Sequence, residues 1–402
     1  MRFLHPDNKG LTPVDWRLPE NRKEMFFRWL SWRLAGANID HYTWNLAYMN
    51  TEHSPTKKAM TREQKLWYSY LFGTTYQSSL AWVFYSHFPD YDKIDMTELD
   101  RWNRETMPRQ RFATDTRYNK GHIVRMWGSF LDWVNTHGQG DIEKAFEKFL
   151  VEDQTVSFNQ MTEQVRSWHK FGRMTAWLTT QCLYECCELP IAPDTMYTDD
   201  PSSASVWNGM CYLIGREDMT VGDAPKFAAY KPAAQDRAAF KAYEKDLMAQ
   251  AQEAVTDKKF LSYFTLETHL CQFKKLNVGF DYPGQNVGDA VLKYAGCKEL
   301  WPEVSFKAFE EAVEGPKMFP NIRWCYESRA MMSLFKATGQ PVNMNNLYAD
   351  LPDMYKELDL DPGTLLSGNN EGLVKSKIDS YLRRQEGSTE FDFLRFFSKE
   401  SA

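Results

Sequence analysis

Gly172-Arg173-Met174-Thr175-Ala176 opens an apolar segment, and Asp194, Asp199 and Asp200 follow just beyond its far end. A glycine turn entering a helix leaves the first backbone N–H groups without intrahelical acceptors, and the helix dipole adds positive potential there. Such an entrance grips an anion, a DNA phosphate included. Lys170 and Arg173 add formal charge to the same corner, and Pro190 stops the helix near Glu188. The three aspartates can then fold back toward whatever the corner holds.

A second concentration of charge lies upstream. Residues 101–125 carry Arg101, Arg104, Arg109, Arg111, Arg117, Lys120 and Arg125 against Glu105 and Asp115, with aromatics between them. Such a stretch can track a phosphate backbone, or it can be a solvated helix pair and loop. Asp115 also suits a turn or N-cap position. His169 beside the glycine turn and His269 read more naturally as satisfied structural histidines than as catalytic ones. Trp168 and Trp177 read as core before they read as wedges for a nucleic-acid strand.

The elements that must position these residues are helical. Met25, Trp29, Trp32 and Leu34 fall near one stripe, with Gly36 as a stop. Thr61-x-x-Gln64 is a capping signature for residues 61–88, read as two helical pieces with Gly73 between them. Further helices are expected at 121–136, 141–151, 153–166, 172–188, 203–214, 233–256, 258–276, 304–313, 322–338 and 373–384. Alternating strand patterns are nearly absent, so the fold class is all-α. The polar span 219–257 is the candidate for an insertion or surface helix, and residues 298–402 for a C-terminal helical extension of a domain covering 1–297.

Composition narrows the function classes. The 402 residues are 43% hydrophobic and 25% charged, an ordinary globular balance. Net charge is −6, so any affinity for nucleic acid must be local. The seven cysteines have no C-x-x-C spacing, and no secretory leader is evident, which points to reduced thiols in a cytoplasmic compartment. Cys182, Cys186 and Cys187 sit a helical turn apart and read as small hydrophobes rather than ligands. No apolar run is long enough to span a bilayer, and no metal site is expected. The sequence holds no P-loop, no dinucleotide-binding glycine fingerprint, no H-E-x-x-H and no G-x-S-x-G.

The corner itself resembles the helix-hairpin-helix DNA glycosylases, whose hairpin has the pattern G-R-x-T-A with an aspartate roughly twenty residues later. "HKFG" stands here in place of the usual first glycine. Three blocks carry a broader resemblance, spanning about 60–295. "LFGTTYQSSLAWVFYSHFP" with "ATDTRYNKGH" is similar to G-x-T-Y and D-T-R-x-x-K elements at Gly73, Thr75, Tyr76, Asp115, Thr116, Arg117 and Lys120. "FGRMTAWL" with "DTMYTDDPSSASVWNGM" resembles a helix, an acidic position and a glycine loop of which Gly209 remains. "LETHLCQFKKL" resembles E-x-x-L-C-E-F-x-K-Y at Glu267, Leu270, Cys271, Phe273 and Lys275, with Gln272 and Leu276 departing from it.

The family so resembled is that of the α-glutamyl/putrescinyl-thymine pyrophosphorylases and the helical domain of 5-hydroxymethyluracil DNA kinases, the phage amino acid:DNA transferase type. The resemblance implies a glycosylase-like helical core that flips a base out of double-stranded DNA. It implies displacement of pyrophosphate from pyrophosphorylated 5-hydroxymethyluracil by an amino acid or polyamine. Asp194 or Asp199 is then the general base or the stabiliser of cationic character. Lys275 with Arg117 neutralises pyrophosphate, with Lys120 and Arg173 as further cations. Glu267 either joins the site or pairs with Lys274 or Lys275 on its helix face. No cofactor is required, although Mg²⁺ is compatible with pyrophosphate. The competing readings are a DNA glycosylase using Asp194 and a non-catalytic DNA-binding module.

Overall fold

The structure is a computed structural model that describes residues 19–35, 58–75, 78–106, 120–198, 204–221, 234–256 and 258–277, with a few isolated positions besides. Among the described residues every regular element is helical, as the periodicity predicts. The α-helices are α1 (Pro19–Ala35), α2 (Arg62–Thr75), α3 (Ser78–His87), α4 (Met96–Thr106), α5 (Ile123–Gly138) and α6 (Ile142–Glu147). They continue as α7 (Gln154–Ser167), α8 (Arg173–Glu185), α9 (Ala204–Leu213), α10 (Ala234–Ala254) and α11 (Tyr263–Asn277). The proposed extension beyond 298 lies outside this description.

Local signals explain most of the boundaries. The predicted capping box closes reciprocally: Gln64 Oε1 accepts from the Thr61 N–H at 2.9 Å, and Thr61 Oγ1 accepts from the Gln64 N–H at 3.3 Å. Asp153 caps α7 by accepting from the Thr155 and Val156 amides. α5 ends where Gln139 takes a left-handed conformation with φ 56°, and Gly140 follows at φ 91°.

Three elements differ from expectation. Gly73 does not break the first helical piece but lies buried inside α2. α4 stands outside the expected helices; Asp95 caps it through the Thr97 and Glu98 amides, and it buries Leu99 just ahead of the basic stretch. The span read as an insertion or surface helix contains α10, close to the expected 233–256, but this helix packs on α1 and buries Phe240, Leu247 and Ala251.

The core is unusually aromatic. Tyr70 stacks on Phe130 with ring centroids 4.0 Å apart, and Trp168 meets Phe130 edge-on at 5.0 Å. Phe171 stacks on the other flank of Tyr70 at 5.7 Å. Trp168 and Trp177 are both buried, so neither is a free wedge. The cysteines at 182, 186 and 187 are buried free thiols, and burial pushes the Cys186 and Cys187 thiols up.

Two glycines set how closely the site-bearing helices approach. A Cβ on Gly73 would stand 2.1 Å from Thr179 Oγ1, so α2 and α8 meet through a bare backbone. A Cβ on Gly209 would stand 2.4 Å from the Leu270 carbonyl oxygen, so α9 lies on α11 in the same way. Gly209 is therefore a packing residue inside a helix rather than part of a loop.

A candidate active site at the entrance of helix α8

Gly172 is the N-cap of α8, with no side chain to cap the first turn and open space where a Cβ would stand. Phe171, just before it, is buried and pins the corner to the core. The entrance is thus held from behind and open in front, as an anion site needs.

Arg173, the first helical residue, turns inward from this corner. Its Nη1 lies 3.7 Å from Glu267 Oε1 on α11, with the two side chains 12% and 11% exposed. Its Nη2 donates to the Met196 carbonyl at 3.4 Å, and the guanidinium sits 5.6 Å from the Trp177 ring centre. Burial raises the Glu267 carboxyl above its ordinary value. Arg173, then the Trp177 indole and the Thr268 hydroxyl, pull it back in part. Glu267 is therefore a carboxylate that holds a proton more readily than a surface glutamate, at the edge of a positively polarised helix end.

The acidic loop returns to this point. The Ala192 N–H donates to the Gln154 carbonyl at 3.1 Å, tying the start of the loop to α7. Glu244 of α10, itself buried, then clasps the loop. Its Oε2 accepts from Thr195 Oγ1 at 2.5 Å and from the Met196 N–H at 2.9 Å, and its Oε1 accepts from the Thr198 hydroxyl. Tyr197, at φ 51°, donates its hydroxyl to Asn159 at 2.6 Å. Asp194 stands exposed at the rim of this clasp. The Tyr263 hydroxyl is raised by burial first, and then by the negative charges of Glu244 and Asp194. Asp194, Glu244 and Tyr263 thus share one electrostatic neighbourhood.

The structure therefore brings Gly172 and Arg173, the Asp194 loop and Glu267 together from three separate stretches of chain. Tyr76, Asp115, Arg117 and Asp199 lie outside the described residues, as do the side chains of Lys120 and Lys275. Lys275 lies eight residues beyond Glu267 on α11, about 12 Å along the helix axis. Sequence reasoning missed Glu244 and Tyr263. Glu244 had a signal: it interrupts the apolar stripe Phe240, Leu247, Ala251 on one face of α10, and a carboxylate there must find buried donors.

The profile of the amino acid:DNA transferase family matches residues 48–281, which is more than half of the chain and includes every described residue of this site. The chain belongs to the amino acid:DNA transferase family. A "Serinyltransferase" of Salmonella phage ViI is 25% identical over 365 residues, covering 83% of this chain and 85% of that protein. No solved structure matches the chain. The transferase works on DNA with an amino acid as the group transferred. No helix among its described residues is long and apolar enough to cross a membrane.

Proposed function

We propose that this transferase joins the amine of an amino acid to the 5-methylene carbon of a pyrophosphorylated 5-hydroxymethyluracil in DNA, after the base is flipped into a glycosylase-like helical core. The amine nitrogen forms a bond to the methylene carbon. The bond from that carbon to the pyrophosphate oxygen breaks, and pyrophosphate leaves with the electron pair. The amine, which enters as an ammonium, must give up a proton to attack. The single observation that carries this reading is the inward-facing Arg173–Glu267 pair at the open α8 entrance.

In this mechanism Glu267 receives the proton. A base works best when its pKa lies near the working pH, and burial has moved this one in that direction. Asp194, exposed at the rim, draws in the ammonium group of the incoming amino acid by charge. The α8 entrance, with Arg117 and Lys275 contributing cations, stabilises the departing pyrophosphate. Mg²⁺ is compatible with that pyrophosphate. Among the described residues no cluster of three or more His, Cys, Asp or Glu could hold a metal ion. Serine is the first donor to try, because the phage relative is named for it.

The test is mass spectrometry of nucleosides after incubation of pyrophosphorylated hydroxymethyluracil DNA with single amino acids or putrescine. A mass gain on the base with release of pyrophosphate is expected. Abasic sites would identify a glycosylase instead, and retarded but chemically unchanged DNA a binding module.

A further inference from the structure

α5 starts from a single 3-10 turn, Lys120–His122, and the chain passes that turn again at His169. Nε2 of His169 lies 3.2 Å from Nδ1 of His122, so the two rings share one hydrogen bond. The His169 backbone N–H donates to Ser129 Oγ at 3.0 Å, fixing the crossing on α5. Beside the pair opens a cleft of about 520 Å³ lined by Arg125, Gly128, Ser129, Asp132, Ser167 and His169. The Phe171 N–H donates to the Trp168 carbonyl at 3.0 Å, closing a tight turn in which Lys170 stands at φ 64°. That conformation suits glycine, yet an exposed lysine occupies it. None of these groups has a part in the chemistry at Glu267.

We propose that this cleft seats a backbone phosphodiester of the DNA strand, and that the His122–His169 pair takes up a proton when the strand binds. The inference rests on the reading of the protein as a DNA transferase and adds a strand-docking site outside its reaction centre. His169 is three residues from Gly172, so a strand seated in the cleft runs on toward the α8 entrance.

The proton follows from the geometry of the pair. In the neutral pair one ring donates N–H and the other accepts. A first added proton goes to a nitrogen outside that bond, giving an imidazolium–imidazole pair that keeps the contact and carries a full positive charge. Burial, followed by His122, Lys170 and Arg125, holds His169 below the usual histidine value in the free protein. A phosphate oxygen placed between Lys170 and Arg125 offsets the charges that repel the proton. Asp132 is the acid among the lining residues, while Ser129 and Ser167 are neutral.

Fluorescence anisotropy with a short labelled DNA duplex reads this directly. Wild-type affinity should rise as pH falls from about 8 to about 5, a few-fold by about pH 6 and toward a limit of about tenfold, the equivalent of one pKa unit gained on binding. The double variant H122Q/H169Q keeps neutral hydrogen-bonding side chains, and it should lose that gain. Lys170→Gly relieves the backbone and should fold at least as well, yet bind DNA more weakly, with a salt slope reduced by about one. The same pH dependence in wild type and double variant, with DNA bound by both, overturns the proposal and leaves the transferase reading in place. Failure of the wild type to bind DNA at any pH overturns both. A pH-dependent gain with inorganic pyrophosphate but not with DNA overturns the strand assignment.

Discussion

Arg173 and Glu267 compensate each other in a place where neither charge is well solvated. Arg173→Met should leave Glu267 as a buried lone acid, destabilising the fold by about 3–5 kcal/mol in urea titration and raising its pKa further. The double variant R173M/E267Q should recover much of that loss, because it removes both charges. Glu185 tests burial where no partner cation stands among the described residues. Burial pushes its carboxyl up to about 8, with a Ser262 contact pulling the other way. Its folded pKa lies above the unfolded value of about 4.3, so the proton it holds contributes stability that is fully present below that value. This contribution is lost progressively as pH climbs to about 8. Glu185→Gln should therefore be the more stable protein at about pH 8, by an order of a few kcal/mol, and should converge with wild type near pH 4. Denaturation midpoints measured across that range decide it.

At the scale of elements, the glycine crossings and the Glu244 clasp determine where the reactive groups stand. Gly209→Ala forces a methyl against the Leu270 carbonyl, which belongs to a helix backbone and cannot swing aside. A loss of about 1–3 kcal/mol is expected by thermal or chemical denaturation. Glu244→Ala removes the acceptor of three donors on the loop and should raise the amino-acid KM by displacing Asp194. Asp194→Asn should raise the same KM while leaving kcat closer to wild type.

These are the features that sequence reading resolved least well, and for physical reasons. The Thr61–Gln64 capping box was legible because its chemistry is local. Gly73 was misread as a break because a bare backbone serves a helix crossing as well as a turn, and only Thr179 of α8 tells them apart. α4 was hidden by its charge: it has one fully buried position, Leu99, and its second half runs into the stretch read as basic. The α8 corner was legible from its glycine and arginine. The inward turn of Arg173 was not, because its partner comes from α11, almost a hundred residues away.

Across the whole molecule, a chain of net charge −6 must bind DNA through a confined positive surface. Among the described residues Lys170 and Arg125 both bear on His169, three residues ahead of the α8 entrance, and the aromatic-rich core, with Trp168 edge-on to Phe130, backs that turn. Binding should weaken steeply with salt, in proportion to the few phosphates neutralised. The measurement that tests the account most directly is single-turnover transfer of serine to pyrophosphorylated hydroxymethyluracil DNA by wild type and by Glu267→Gln. The account predicts a new amino-acid mass on the base in wild type. It predicts a loss of about 10²–10⁴-fold in rate for the variant with DNA affinity retained. A variant that transfers serine at the wild-type rate would contradict it.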